Sequence, residues 1–171
     1  MLLVSGNLDP TMGAEHPFPQ VETWGFTQHT PYYGDYPTNR RSVYLMQQRL
    51  KRHPFLSLFD GADTNASTAR RELTTVPTQA LYLMNNEFVH EQAAGLVKRS
   101  SANGDEQTRI DGLWQLVLGR DADQEEAADA SQFLADYRKA LGDMPAEPAE
   151  QAAWSALART VLTRNEFLFV D

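Results

Sequence analysis

No cysteine occurs among the 171 residues, which excludes disulfides, thiolate metal sites, thiol catalysis and covalent c-type haem attachment within this chain. No apolar run approaches the roughly 18 residues that a membrane-spanning helix needs. The opening MLLVSGNLDPTMG has only four apolar residues in a row and no basic flank, so it does not read as a signal peptide. Histidine is scarce, and His16, His29, His53 and His90 show no HExxH spacing. There is no GxSxG elbow and no SxxK motif, and GNLDPTMG lacks the lysine and glycine spacing of a phosphate loop. Asp121, Asp123, Glu125, Glu126 and Asp129 form the densest acid cluster, but they miss the EF-hand pattern and read as capping a helix start.

What is present describes a globular chain. An apolar fraction of 42% and a charged fraction of 22% are ordinary. A chain of this length buries roughly 70% of its unfolded surface and holds a core without staples. The net charge of −8 is unevenly placed. Residues 38–72 carry seven bases against three acids, whereas fourteen acids face six bases from Ser100 onward. A basic middle and an acidic C-terminal third can simply attract each other within one fold.

Residues 1–39 read as an irregular arm. Prolines and glycines from Pro10 to Pro37 forbid a long helix, while Phe18, Trp24, Phe26, Tyr32, Tyr33 and Tyr36 argue against a free linker. The arm is expected to pack its rings on a neighbouring surface; stacking on sugars or bases is the alternative. Residues 40–171 are expected to be one helical domain, with an arginine-rich loop region over 40–76 and helices over 77–171. Arg41–Tyr44 reads as a short strand and Leu45–Arg52 as a short helix ended before Pro54. A helix is expected from Pro77 to Arg99, with Thr75 and Thr78 as possible caps and Gly95 weakening its last turns. Asn103 with Glu106, and Asp123 with Glu126, resemble capping boxes. Ile110, Leu113, Trp114 and Val117 form one apolar stripe, and Trp154, Leu157, Ala158, Val161 and Leu162 form the last. Gly119 ends a helix, 142–148 is a linker, and NEFLFVD is a short strand or packed extended end. The fold class is mainly α: a bundle of about four helices with an irregular arm rich in proline, glycine and aromatics at its N-terminus.

The pairs Arg40-Arg41 and Arg70-Arg71 are the sharpest chemical signal, because arginine forks bind carboxylates or phosphates through paired hydrogen bonds. Bridges to Asp60 and Asp63 within the same segment, or capture of an anionic ligand, both fit. The acidity of the whole argues against nucleic acid. Asn65-Ala66-Ser67 matches a glycosylation sequon, a pattern that by itself means little if the protein is bacterial.

At RRSVYLMQQR, LFDGADTNASTARRELTTVPTQALYLMNNEFV, LWQLVLGRDADQEE and LTRNEFLFVD the chain resembles the C-terminal planctomycete-specific domain, domain-of-unknown-function family 1553. The positions that carry the resemblance are Arg41, Tyr44, Phe59, Asp60, Arg70, Arg71, Thr75, Pro77, Gln79, Ala80, Leu81 and Asn85. LLVSGNLDPTMG resembles an internal segment of longer members, so the expectation is that Met1 is internal and the chain is the C-terminal part of a larger polypeptide. The resemblance implies a long exported protein of Planctomycetes and related bacteria, extracytoplasmic, with a cytochrome c-like module upstream. Many members carry a cysteine in the loop before the arginine pair; Ala66, Ser67 and Thr68 stand there in this chain, which removes any thiol role.

No cofactor is expected in this chain, any haem belonging to an upstream module. The expected partners are the upstream domains of the same polypeptide or a separate protein. The first functional expectation is a non-catalytic scaffold or docking domain. The alternative is part of an enzyme or glycan-binding protein acting on polysaccharides. Candidate ligand-binding residues are Arg41, Tyr44, Asp60, Arg70, Arg71, Gln79 and Asn85, read as a polar network under the helix that begins at Pro77.

Overall fold

The computed structural model describes residues 1–13, 36–49, 51–70, 74–100 and 104–169. No strand occurs among the described residues, and the mainly α class holds. The helices are α1 (Leu2–Ser5), α2 (Pro54–Leu58), α3 (Pro77–Asn85), α4 (Glu87–Ser100), α5 (Glu106–Leu118), α6 (Gln124–Ala140), α7 (Ala146–Leu162) and α8 (Asn165–Leu168). The chain divides into two compact units, one of Met1–Asn7 with Leu81–Asp171 and the other of Leu8–Ala80.

The first unit contains the bundle. Helix α4 packs on α5 and α7, and α6 packs on the same two, which closes a ring of four helices. The two expected stripes supply much of its core, with Ile110 and Leu113 from α5 and Trp154, Val161 and Leu162 from α7 fully buried beside Leu96 from α4 and Leu134 from α6. Gly119 takes the left-handed conformation at φ 74° that ends α5, as a C-terminal cap should. Asp123 and Glu126 form a complete capping box at the start of α6.

Several boundaries differ from expectation, each for a local reason. The helix expected over 77–99 is two helices. Asn86 interrupts it, its Oδ1 accepting from the Phe88 N–H at 3.0 Å and so starting α4. Gln79, not Thr75 or Thr78, serves the start of α3: its Oε1 accepts from the Val76 N–H at 3.3 Å. The cap of α5 is Asp105, which accepts from the Thr108 N–H at 2.8 Å; Asn103 lies outside the described residues. Helix α7 absorbs Glu147 and Pro148 into its first turn, where a missing N–H costs nothing. Ser42–Tyr44 is a 3₁₀ turn and not a strand, and the helix placed before Pro54 instead begins at it. The expected terminal strand is α8 followed by extended Phe169.

Helix α1 is the one element brought to the bundle from the other end of the chain. Ser5 Oγ and Asn7 Nδ2 both donate to Oε1 of buried Gln92, at 2.7 and 2.9 Å. Arg99 Nη1 donates to the carbonyls of Leu3 and Val4, the end of α1 where backbone acceptors have no helical partner. Gly95 makes this approach possible: a Cβ there would meet Asn7 Nδ2 at 2.9 Å and the Ser5 carbonyl at 3.2 Å. The residue that weakens α4 locally is thus the one that lets α1 lie against it.

Candidate functional site

In the unit of Leu8–Ala80, the stretch singled out in the sequence forms a latch at the end of α2. Pro54 occupies the first turn of that helix and Phe59 stacks on Phe55 with centroids 4.8 Å apart. Asp60 then turns left-handed at φ 56°, a conformation asparagine and aspartate tolerate better than most residues. Gly61 follows with its N–H on the Leu56 carbonyl at 2.6 Å, where an added Cβ would collide with that same oxygen. This six-to-one closure is that of a Schellman motif.

The Asp60 carboxylate accepts from the Thr74 N–H at 2.8 Å and from the Thr74 hydroxyl at 2.8 Å. Gln79 completes the latch: its Nε2 donates to the Leu58 carbonyl at 3.0 Å and to the Thr74 carbonyl at 3.1 Å. A carbonyl left over at the end of α2 is thereby satisfied by a side chain of α3. Arg52 Nη2 reaches the Gly61 carbonyl at 3.2 Å, and Arg40 pairs with Asp9 at 3.3 Å. His53 has a buried Nδ1 without a hydrogen-bond partner, and burial lowers its pKa.

Of the seven candidate residues, the structure therefore brings Asp60 and Gln79 together, through Thr74. Tyr44 is half-buried and its ring lies against Gly13, where a Cβ would strike it. Asn85 donates to the Leu81 carbonyl of its own helix at 3.0 Å. Arg41 and Arg70 are exposed, and neither guanidinium forms a hydrogen bond or ion pair among the described residues. Arg71 lies outside the described residues, as do the arm aromatics Phe18, Trp24, Phe26, Tyr32 and Tyr33.

The densest polar chemistry is in the bundle, at two places where the sequence names only the capping role of Glu126. At the first, Glu126 accepts from the Trp114 indole N–H at 3.0 Å and from the Asp123 N–H at 3.0 Å. Arg120 grips the same carboxylate with two bonds at 2.7 and 2.9 Å, and Arg164 adds a third guanidinium contact at 2.8 Å. Arg120 also holds Glu166 with two bonds at 2.8 Å, which ties α8 to the start of α6. The Arg120 bonds, the Asp123 N–H and the Arg164 charge pull the Glu126 pKa down to about 2 against the opposing effect of burial.

At the second place, Glu150 accepts from the Trp154 indole N–H at 2.6 Å. Arg138 binds it through Nε at 2.7 Å and Nη2 at 3.0 Å, and reaches Glu106 at 3.0 Å. Arg109 contacts Glu150 at 3.3 Å and lies 4.0 Å over the Trp154 ring, within cation–π range. The Arg138 hydrogen bonds lower the Glu150 pKa. Both places follow one rule: a buried tryptophan must find a partner for its N–H, and a carboxylate so placed must be neutralised by arginines. Glu150 standing one turn before Trp154 was the readable signal.

Among the described residues, no group of three or more His, Cys, Asp or Glu is arranged to hold a metal ion. A shallow depression of about 400 Å³ between α5 and α6 is lined by Ala122, Ala127, Ala128 and Asp123, the last already committed as a cap. Among the described residues, no helix is long and apolar enough to cross a membrane.

No curated protein and no solved structure matches the chain. The chain belongs to the family described as protein of unknown function DUF1553, whose sequence profile matches residues 1–134 and so covers the latch and the bundle as far as Leu134.

Proposed function

We propose that this chain is a non-catalytic scaffold and docking domain of a larger exported protein that carries a cytochrome c-like module upstream. One observation carries the non-catalytic part: the most elaborate polar groups are fully committed to one another. A carboxylate held at about 2 with its oxygens taken by an indole, two guanidiniums and a backbone N–H has neither a proton to give nor a free lone pair to accept one. Asp60 and Gln79 likewise bond the amide, hydroxyl and carbonyl of Thr74. A carboxylate that acts as a general acid needs a pKa raised toward its working pH, and the carboxylate shifts in the bundle run the other way.

The docking part rests on what the polar networks leave outside. Leu81 and Met84 of α3 are 55% and 62% exposed, in a helix with no buried residue. Location outside the cytoplasm, upstream haem and binding to the preceding domains are the properties that long exported relatives would share with this chain. Cross-linking and mass spectrometry of the native polypeptide test the reading. Cross-links from the α3 region to the upstream modules are expected; a chain cross-linked only to itself would contradict it.

A further inference from the structure

The sequence contains a single Asn-x-Ser/Thr triplet, Asn65-Ala66-Ser67, and Asp63 stands two positions before its asparagine. That makes the longer pattern acid-x-Asn-x-Ser, the form read by bacterial-type transferases of N-linked glycans, which hold the preceding carboxylate with a cation of their own. The structure places the pattern in the helix-free loop after α2, with Asp63 and every residue from 65 to 70 exposed. Within it, Asp63 Oδ1 accepts from the Asn65 N–H at 2.9 Å, an Asx turn that presents the asparagine at the surface. The Asn65 carboxamide donates to the Arg49 carbonyl at 3.2 Å and to Asp63 Oδ1 at 3.4 Å, both long and solvent-exposed bonds. The Ser67 hydroxyl has no hydrogen-bond partner among the described residues, and the residue is exposed. A transferase can draw such a loop into its groove without unwinding a helix or uncovering core.

We infer that Asn65 is the acceptor of an N-linked glycan, with Asp63 and Ser67 as its recognition elements. The donor class is an oligosaccharide on a polyprenyl pyrophosphate. Asn65 Nδ2 attacks the anomeric carbon; the new C–N bond forms as the C–O bond to the pyrophosphate breaks. The pyrophosphate leaves with the electron pair, and the amide proton passes to a base of the transferase. The attached sugar covers the loop and directs docking to other faces of the unit. This rests on the extracytoplasmic location proposed above, because the donor is assembled on a membrane and used outside the cytoplasm.

The test is mass analysis of the tryptic peptide spanning residues 53–70 from protein purified out of the cells that naturally make it. A hexose-containing increment localised to Asn65 is expected. It should vanish in Asn65→Gln and Ser67→Ala and persist in Ser67→Thr, with thermal unfolding unchanged in all three. An unmodified peptide, or an increment that survives Asn65→Gln, would overturn the inference. Protease shaving of intact cells separates the two readings: a shaved chain with bare Asn65 sinks the glycan alone, and a protected chain with bare Asn65 sinks the location as well.

Discussion

The indole N–H of Trp114 donates to the carboxylate of Glu126 at 3.0 Å, across the turn from α5 to α6. Trp154 does the same to Glu150 at 2.6 Å within α7. In each case the ring is part of the buried core while its one polar atom reaches a half-covered ion-pair network, so side-chain packing and charge placement are fixed together.

Replacing Glu126 should expose that coupling. Glu126→Gln removes the charge that two arginines share and should destabilise the bundle by about 1–2 kcal/mol, less than breaking a fully buried pair because both arginines are part-exposed. Glu125, exposed and with no side-chain partner among the described residues, serves as control, and its Gln variant should stay within ~0.5 kcal/mol. Denaturant unfolding at neutral pH measures both.

The same group sets an acid limit. Its folded pKa of about 2 lies below the unfolded 4.5, so its contribution is fully present above pH 4.5 and lost as pH falls toward 2. The shift corresponds to ~3 kcal/mol at most, and the half-exposed arginines and salt reduce it to ~1–2 kcal/mol. The melting temperature should therefore fall between pH 4.5 and 2, and Glu126→Gln should flatten that slope.

Two helical glycines should respond to alanine with opposite signs. At Gly112 a Cβ meets only the Ser100 carbonyl at 4.0 Å, so Gly112→Ala should gain about 0.5–1 kcal/mol from helix propensity. At Gly95 the same change drives the Cβ into Asn7 and Ser5, so that gain should disappear. Gly95→Leu should release α1 and make residues 1–7 sensitive to protease.

Asp60 separates conformation from hydrogen bonding. Asp60→Gly keeps the left-handed turn and loses the Thr74 bonds; Asp60→Ala loses both and should be worse by about 1 kcal/mol. Hydrogen exchange at the Thr74 amide should accelerate in both variants, and faster in alanine.

The bundle was legible because α5, α6 and α7 carry unbroken apolar stripes and strong caps at Gly119 and Asp123. Periodicity tells which face of a helix is buried but not which helix it meets, so neither the seat of α1 on Gly95 nor the pairing of Arg120 with Glu166 could be read. The break at Asn86 had a signal, an asparagine able to cap a new helix, which the continuous pattern of Leu81, Met84 and Phe88 outweighed. Elements of three to five residues, at 42–44, 54–58 and 165–168, are set by tertiary contacts and single prolines more than by pattern. In the candidate site, the sequence named Asp60 and Gln79 but not Thr74, whose role depends on a loop closure that spacing does not encode.

The most direct measurement is the size and haem content of the native product, detected with an antibody to this chain and haem staining of the same gel. The account predicts a band far above the 19.2 kDa of the chain, and haem in it. A band near 19.2 kDa without haem would contradict it.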